Sequence, residues 1–200
     1  MPEDEDHSRQ VRGVLFVDYV RMVRGRKDVR WGDLLEAEDL MILAQKVEPT
    51  GWYPMDTFER LGVAILNEIA HGQLEGVRMW GRFQLQAVRK EFPMLVAAND
   101  PRETLMRFDV LSDGFFDYGA LGVLSVSDGH AFVWINYKMG KTAEQTASYQ
   151  TMGFFEGLLE AAGAQDIHAR FTATVWEGAE RTMLELHWTE EPSSGRTPTR

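Results

Sequence analysis

The chain has no cysteine. Disulfides, thiolate metal sites and cysteine nucleophiles are therefore excluded. Positive charge is also scarce: 21 Lys and Arg stand against 31 Asp and Glu, for a formal net charge of −10. A nucleic-acid binder needs a basic footprint to displace counterions, and an anionic membrane surface attracts the same residues. The one basic cluster, Arg21, Arg24, Arg26, Lys27 and Arg30, reads as a solvated helix end and loop. No apolar run approaches the roughly 20 residues that span a bilayer. The start, Met-Pro-Glu-Asp-Glu-Asp, lacks the basic and apolar regions of a signal peptide. The expectation is a cytoplasmic chain with neither nucleic acid nor membrane as partner.

Catalytic motifs are missing as well. There is no Gly-x-Ser-x-Gly, P-loop, Gly-x-Gly-x-x-Gly or His-Glu-x-x-His. The acidic stretch DVLSDGFFDYG (109–119) offers Asp113 and Asp117 as acid–base candidates. It lacks the spacing and final Glu of a calcium loop. It reads as a turn whose Phe115 and Phe116 plug the core. A non-enzymatic protein is expected.

What is present is a sizeable core. Two hundred residues, 44% hydrophobic, suit one domain over 11–189, with disordered tails at 1–10 and 190–200. The first half has helical periodicity. Val14, Leu15, Val17, Tyr19, Val20 and Val23 mark one helix. Trp31, Leu34, Leu35, Leu40, Ile42 and Leu43 mark one or two short helices broken near 37. Phe58, Leu61, Gly62, Ile65, Leu66 and Ile69 form a clean helical face. Pro54 is placed at its first position, Asp56 and Glu59 as a capping box, and Gly72 as its stop. Leu74, Val77, Gly81, Leu85, Val88 and Phe92 make another face, and a shorter helix follows over 101–111.

The second half changes period. Segments 120–127 and 130–137 flank Asp128-Gly129, a strong hairpin signal. Turn-centred pairing sets Ser127 against His130, Ser125 against Phe132 and Val123 against Trp134. Residues 143–162 return to a helix, in which Gly153 and Gly157 permit a close backbone approach. Strands 166–176 and 181–188 form a second hairpin around Gly178-Ala179. If Glu177 faces Glu180, Phe171, Ala173, Val175, Leu184, Leu186 and Trp188 share a dry face, and His168, Arg170, Thr172, Glu185 and His187 a wet one. The expected fold class is α+β: a helical N-terminal half packed on an antiparallel sheet of about four strands, two hairpins separated by a helix.

Two stretches carry a resemblance: VRGVLFVDYVRMVRGRKDVRWGDLLEA (11–37) with GWYPMDTFERLGVAILNEIA (51–70), and YQTMGFFEGLLEAAGAQDIHARFTATVWEGAERTMLELHW (149–188). Together they resemble a myxobacterial protein family of about this length. More distantly, the order of parts is similar to the ligand-binding superfamily of haem–nitric-oxide-binding domains, 4-vinyl-reductase domains and TRAPP subunits. The matching residues are mostly core, so the resemblance implies a fold more than an activity. Its haem-binding members use a proximal histidine and a Tyr-x-Ser-x-Arg motif. Here Tyr149 is followed by Gln-Thr-Met-Gly, and His71 is the one histidine of the helical half outside the tail. The cysteine-containing metal cluster of vinyl-reductase-type sensors has no counterpart in 172–183.

Three sets of candidates follow. His168, Glu185 and His187 could meet on the wet face of the last hairpin and hold zinc or iron, a geometry that depends on register. His71 is a haem-ligand candidate, read more simply as a histidine at a helix C-terminus. Trp52, Tyr53, Trp80, Phe83, Trp134 and Trp176 form an aromatic surplus suited to an apolar pocket or a protein-binding surface. The resulting expectation is a signalling or regulatory homodimer that binds a small hydrophobic ligand or a protein partner and has no cofactor. The alternative is a haem- or metal-dependent sensor.

Overall fold

The structure, a computed structural model, describes residues 8–190. The tail expected over 190–200 falls almost wholly outside the described residues, and so do residues 1–7. Arg9 and Gln10 are placed: Arg9 Nη1 donates to the Tyr137 carbonyl at 2.9 Å, and Gln10 opens the first strand.

Strand β1 (Gln10–Arg12) pairs antiparallel with β2 (Trp52–Pro54), Val11 opposite Tyr53. The Trp-Tyr-Pro segment is thus a strand, and helix α3 (Met55–Glu68) begins one residue after Pro54. The Asp56–Glu59 capping box does not form. Glu59 instead accepts the Gly140 N–H at 2.8 Å and ties α3 to the chain around Gly140. A capping box occurs earlier, between Glu36 and Asp39 at α2 (Ala37–Ala44). Helix α1 (Gly13–Gly25) follows β1 directly; a Cβ on Gly13 would stand 1.9 Å from the Glu48 carbonyl oxygen. Tyr53 stacks on Phe16 at 4.8 Å, and Tyr19 on Phe58 at 4.4 Å. Sterics and ring stacking fix how α1, β2 and α3 meet.

Helix α4 (Leu74–Glu91) packs on α6 (Lys141–Ala161). Here Gly153 and Gly81 show their purpose. A Cβ on Gly153 would lie 1.7 Å from the Arg78 carbonyl oxygen, and one on Gly81 1.8 Å from that of Gln150. Beside them Arg78 grips the buried Glu156, its Nε donating to Oε2 at 3.0 Å. Helix α6 is buried nearly all round, as expected of a helix at the centre of a core. Helix α5 (Pro101–Ser112) is capped by Asp100, which accepts from the Glu103 N–H, with Pro101 at its first position.

Strands β3 (Leu121–Ser127), β4 (His130–Ile135), β5 (Gln165–Ala173) and β6 (Thr182–Thr189) form an antiparallel sheet in the order β3-β4-β6-β5. The α+β architecture is as the sequence pattern implies. Two registers differ in detail. In the first hairpin Ser127–His130 and Ser125–Phe132 pair as expected, but a bulge at Leu124 sets Val123 against Val133 and Gly122 against Trp134. The bulge turns Leu121 into the core and leaves Leu124 out. In the second, Val175–Glu177 is a 3-10 turn, and the pairing slips by two residues to His168–His187 and Arg170–Glu185. A slip of two preserves the faces. Leu184, Leu186 and Trp188 are buried, and His187 and Arg170 reach solvent.

Candidate functional site

Where the helices meet the sheet, a void of about 40 Å³ remains. Its apolar walls are Leu15, Phe58, Phe108, Phe115, Phe116, Leu121, Ala147 and Phe154; its polar ones are Gln84, Tyr137, Gln150 and Thr151. The polar groups form two chains. The Tyr19 hydroxyl donates to Gln150 Oε1, Gln150 Nε2 to Gln84 Oε1 at 3.0 Å, and Gln84 Nε2 to the Leu15 carbonyl at 3.3 Å. Tyr137 Oη and Thr151 Oγ1 lie 2.6 Å apart, and Thr151 donates on to the Ala147 carbonyl at 2.9 Å. Burial raises the pKa of Tyr19 and Tyr137 far above the ordinary phenol value, so both stay protonated. The Glu144 carboxylate accepts the Tyr137 and Met139 N–H groups at 2.8 and 3.1 Å. Burial raises its pKa, and those two donors only partly oppose the rise.

These polar residues escaped sequence reasoning, although one signal existed. Gln84 sits three residues after Gly81 on the apolar face of α4, where a side-chain amide needs a buried partner. Gln150 is that partner.

The aromatic set does not converge. Tyr53 is a core plug, its hydroxyl accepting the Glu48 N–H at 2.9 Å. Trp52 lies at the surface beneath the Arg12 guanidinium, 4.9 Å from the ring. Trp80 and Phe83 alone share a site: both border an open groove between α1 and α4, with Phe83 62% exposed. Trp134 covers Gly122 on the outer sheet face, with Arg181 5.6 Å from its ring. Trp176 is not on a strand; it packs edge-on against Phe171 and beside Tyr149 of α6. Phe115 and Phe116 are buried as expected. Asp117 accepts the Gln10 N–H at 2.7 Å, a structural bond at the start of β1.

His71 stands exposed past the end of α3, in left-handed backbone at φ +52, and does not line the void. The histidines of the last hairpin are on the outer face, where strand order adds a member the sequence reading lacked. His130 of β4 lies opposite His187, and both approach Glu185.

No family model and no curated protein matches this sequence. Solved structures do match, over nearly the whole chain. An H-NOX protein from S. oneidensis in the Fe(II) ligation state, a triple mutant, superposes with a TM-score of 0.64 at 8% identity, covering 92% of this chain and 100% of that one. The chain has the fold of H-NOX proteins. The same organism's H-NOX protein in the Fe(II)NO state gives 0.63 at 8%, covering 90% and 99%. An oxygen-binding H-NOX domain related to soluble guanylate cyclases, in its oxygen complex, gives 0.58 at 17%, covering 94% and 100%. The distant haem–nitric-oxide-binding resemblance therefore holds at the level of fold. The same finding overturns the expectation of no cofactor, because the proteins sharing this fold are described with iron, nitric oxide, oxygen and haem. Among the described residues, no helix is long and apolar enough to cross a membrane.

Proposed function

We propose that this chain is a non-enzymatic sensor domain of a signalling system, in which a small molecule held between the helical half and the sheet changes how the two pack. The observation that carries this reading is the pair of buried polar chains, Gln84–Gln150–Tyr19 and Tyr137–Thr151, set into an otherwise apolar lining. Such a lining is what ligand pockets use to orient an apolar guest. It joins α1, α4, α6 and the sheet, so an occupant touches every layer at once.

The iron, nitric oxide, oxygen and haem with which the fold neighbours are described favour haem as that occupant. Haem iron supplies a binding position for a diatomic gas. The interior of this chain does not fit the group as it stands. Among the described residues no histidine lines the void, and the one phenol there, Tyr137, is held protonated and bonded to Thr151. A volume of about 40 Å³ has room for only a few waters at most. A macrocycle requires Phe108, Phe115, Phe116 and Phe154 to move aside.

The test is a haem titration of the purified chain, read by the Soret band and by quenching of tryptophan fluorescence, with Ala147→Phe as the void-filling control. Saturable one-to-one uptake that Ala147→Phe blocks supports a haem sensor with an interior that opens. No uptake of haem, with thermal stabilisation by a smaller ligand that Ala147→Phe abolishes, keeps the sensor reading and replaces its occupant. Binding of neither kind refutes it. The myxobacterial likeness, the cytoplasmic location and the homodimer belong to the same proposal, and sedimentation of the purified chain tests the last.

A further inference from the structure

The outer face of the sheet carries a second cluster, remote from the void. Strands β4, β6 and β5 are neighbours, and their registers set His130, His187 and His168 side by side. The rings of His130 and His187 stack with centroids 4.2 Å apart and planes 11° apart. Each Nε2 lies 3.2 Å from the same oxygen, Glu185 Oε1. The other oxygen, Oε2, is held by Arg170 Nε at 2.6 Å. Phe132 meets the His130 ring edge-on at 4.8 Å and limits its rotation.

We propose that His130, His187 and Glu185 form a site for a divalent first-row metal of the zinc type, with a water or the exposed His168 as fourth ligand. Three observations support it. First, a tetrahedral zinc bonded at 2.0–2.2 Å to nitrogen and oxygen holds its ligand atoms about 3.3 Å apart. The two N–O edges already stand at 3.2 Å, and all three ligand atoms lie within 4.8 Å of one another. Because the two rings are stacked nearly parallel, His187, the more exposed of the two at 48%, must rotate out of the stack to aim its in-plane lone pair at the ion. Second, Arg170 holds Oε2 from outside and so turns Oε1 toward the two imidazoles, as hydrogen-bond partners behind metal ligands do. Third, His130 and His187 are open to solvent while Glu185 is buried to 7% exposure, so the site has an entry and a fixed base. Two imidazoles and a carboxylate suit zinc, copper or nickel better than calcium or magnesium.

The site faces away from the core, because Ala131, Val133, Leu184 and Leu186 alternate with its ligands and are buried. Its fate is thus independent of the ligand reading above. The experiment is calorimetric titration of Zn²⁺ into untagged, chelator-washed full-length chain, with Co²⁺ absorption to report geometry. The expected result is one ion per chain at a Kd of about 10 µM or tighter, with a tetrahedral Co²⁺ spectrum. His130→Ala and His187→Ala should each weaken binding by about 100-fold, and Arg170→Gln by about 10-fold, the range for outer-shell losses. Thermal melts in chelator give the metal-free baseline of each variant, and the shift on adding Zn²⁺ above that baseline separates lost ligation from lost folding. No uptake by the parent chain, or uptake unchanged in a His130→Ala/His187→Ala double variant, overturns the proposal.

Discussion

Replacing Gly153 by alanine separates two physical effects of opposite sign. In a helix interior alanine is favoured over glycine by about 1 kcal/mol through backbone entropy alone. If nothing approached Gly153, the substitution would stabilise the chain by about that amount. In this fold the new Cβ would lie 1.7 Å from the Arg78 carbonyl oxygen, 2.7 Å from its carbonyl carbon and 3.2 Å from its Cα. All three are backbone atoms of α4, so no side-chain rotation relieves the clash. The helices must part by about 1.5 Å, at the 1–3 kcal/mol typical of overpacking or somewhat more. Separation also loosens the Arg78–Glu156 pair, whose carboxylate is buried. The expected net effect is destabilisation by about 2 kcal/mol. Gly76→Ala is the control: it lies in the same α4, and its Cβ would meet only the Ala70 Cβ at 3.8 Å. That variant should be stabilised by up to about 1 kcal/mol. Urea unfolding followed by circular dichroism measures both. A Gly153→Ala chain as stable as Gly76→Ala would refute the α4–α6 packing described above.

Further consequences concern polar groups. Asp39 is fully buried and bonded twice to Arg60 at 2.7 Å, with the Glu36 N–H at 3.0 Å. Burial pushes its carboxyl up, but Arg60 and that N–H outweigh the penalty and its pKa is lowered on balance. A depressed folded pKa means stability that is present above the unfolded value of about 3.9 and lost as pH falls through the folded one. Melting curves of Asp39→Asn should therefore lie well below those of the parent at pH 7 and converge with them towards pH 3; a constant gap would contradict this. Glu144 has the opposite sign. Its raised pKa makes it stabilising below about 4.5, with that contribution lost as pH rises through the folded value. Glu144→Gln should remove this slope, as paired pH-dependent melts will show. Tyr137→Phe deletes the hydroxyl beside Thr151 and should cost about 1 kcal/mol, with a larger effect on ligand binding than on denaturant stability; unchanged binding would separate Tyr137 from the site.

Much of the fold could be read from the sequence because its signals are local. The face Phe58–Leu61–Ile65, the turn at Asp128-Gly129 and the paired glycines of α6 each report their own element. What was misread depends on contacts between elements. Pro54 resembles a helix start, yet its neighbours Trp52 and Tyr53 are drawn into pairing with Arg12 and Val11 of β1, far earlier in the chain. The bulge at Leu124 carries no turn signal of its own, and the two-residue slip of the last hairpin accompanies a 3-10 turn at Val175–Glu177 where the sequence pattern continues a strand. The site suffered most. His130 belongs to one hairpin and His187 to another, and only the β4–β6 adjacency joins them. Likewise Gln84 and Gln150 meet because α4 and α6 are glycine-tight. The aromatic set is spread over the molecule, because Tyr53, Trp134 and Trp176 each pack against a different element.

The central claim is that a small molecule sits between the helices and the sheet. Native mass spectrometry of freshly purified chain, beside a denatured sample and the Ala147→Phe variant, tests it most directly. The account predicts a reproducible mass excess that vanishes on denaturation and is absent from the variant, with its value separating haem from a smaller ligand. A clean apo mass for the parent chain, unchanged after incubation with haem, would contradict it.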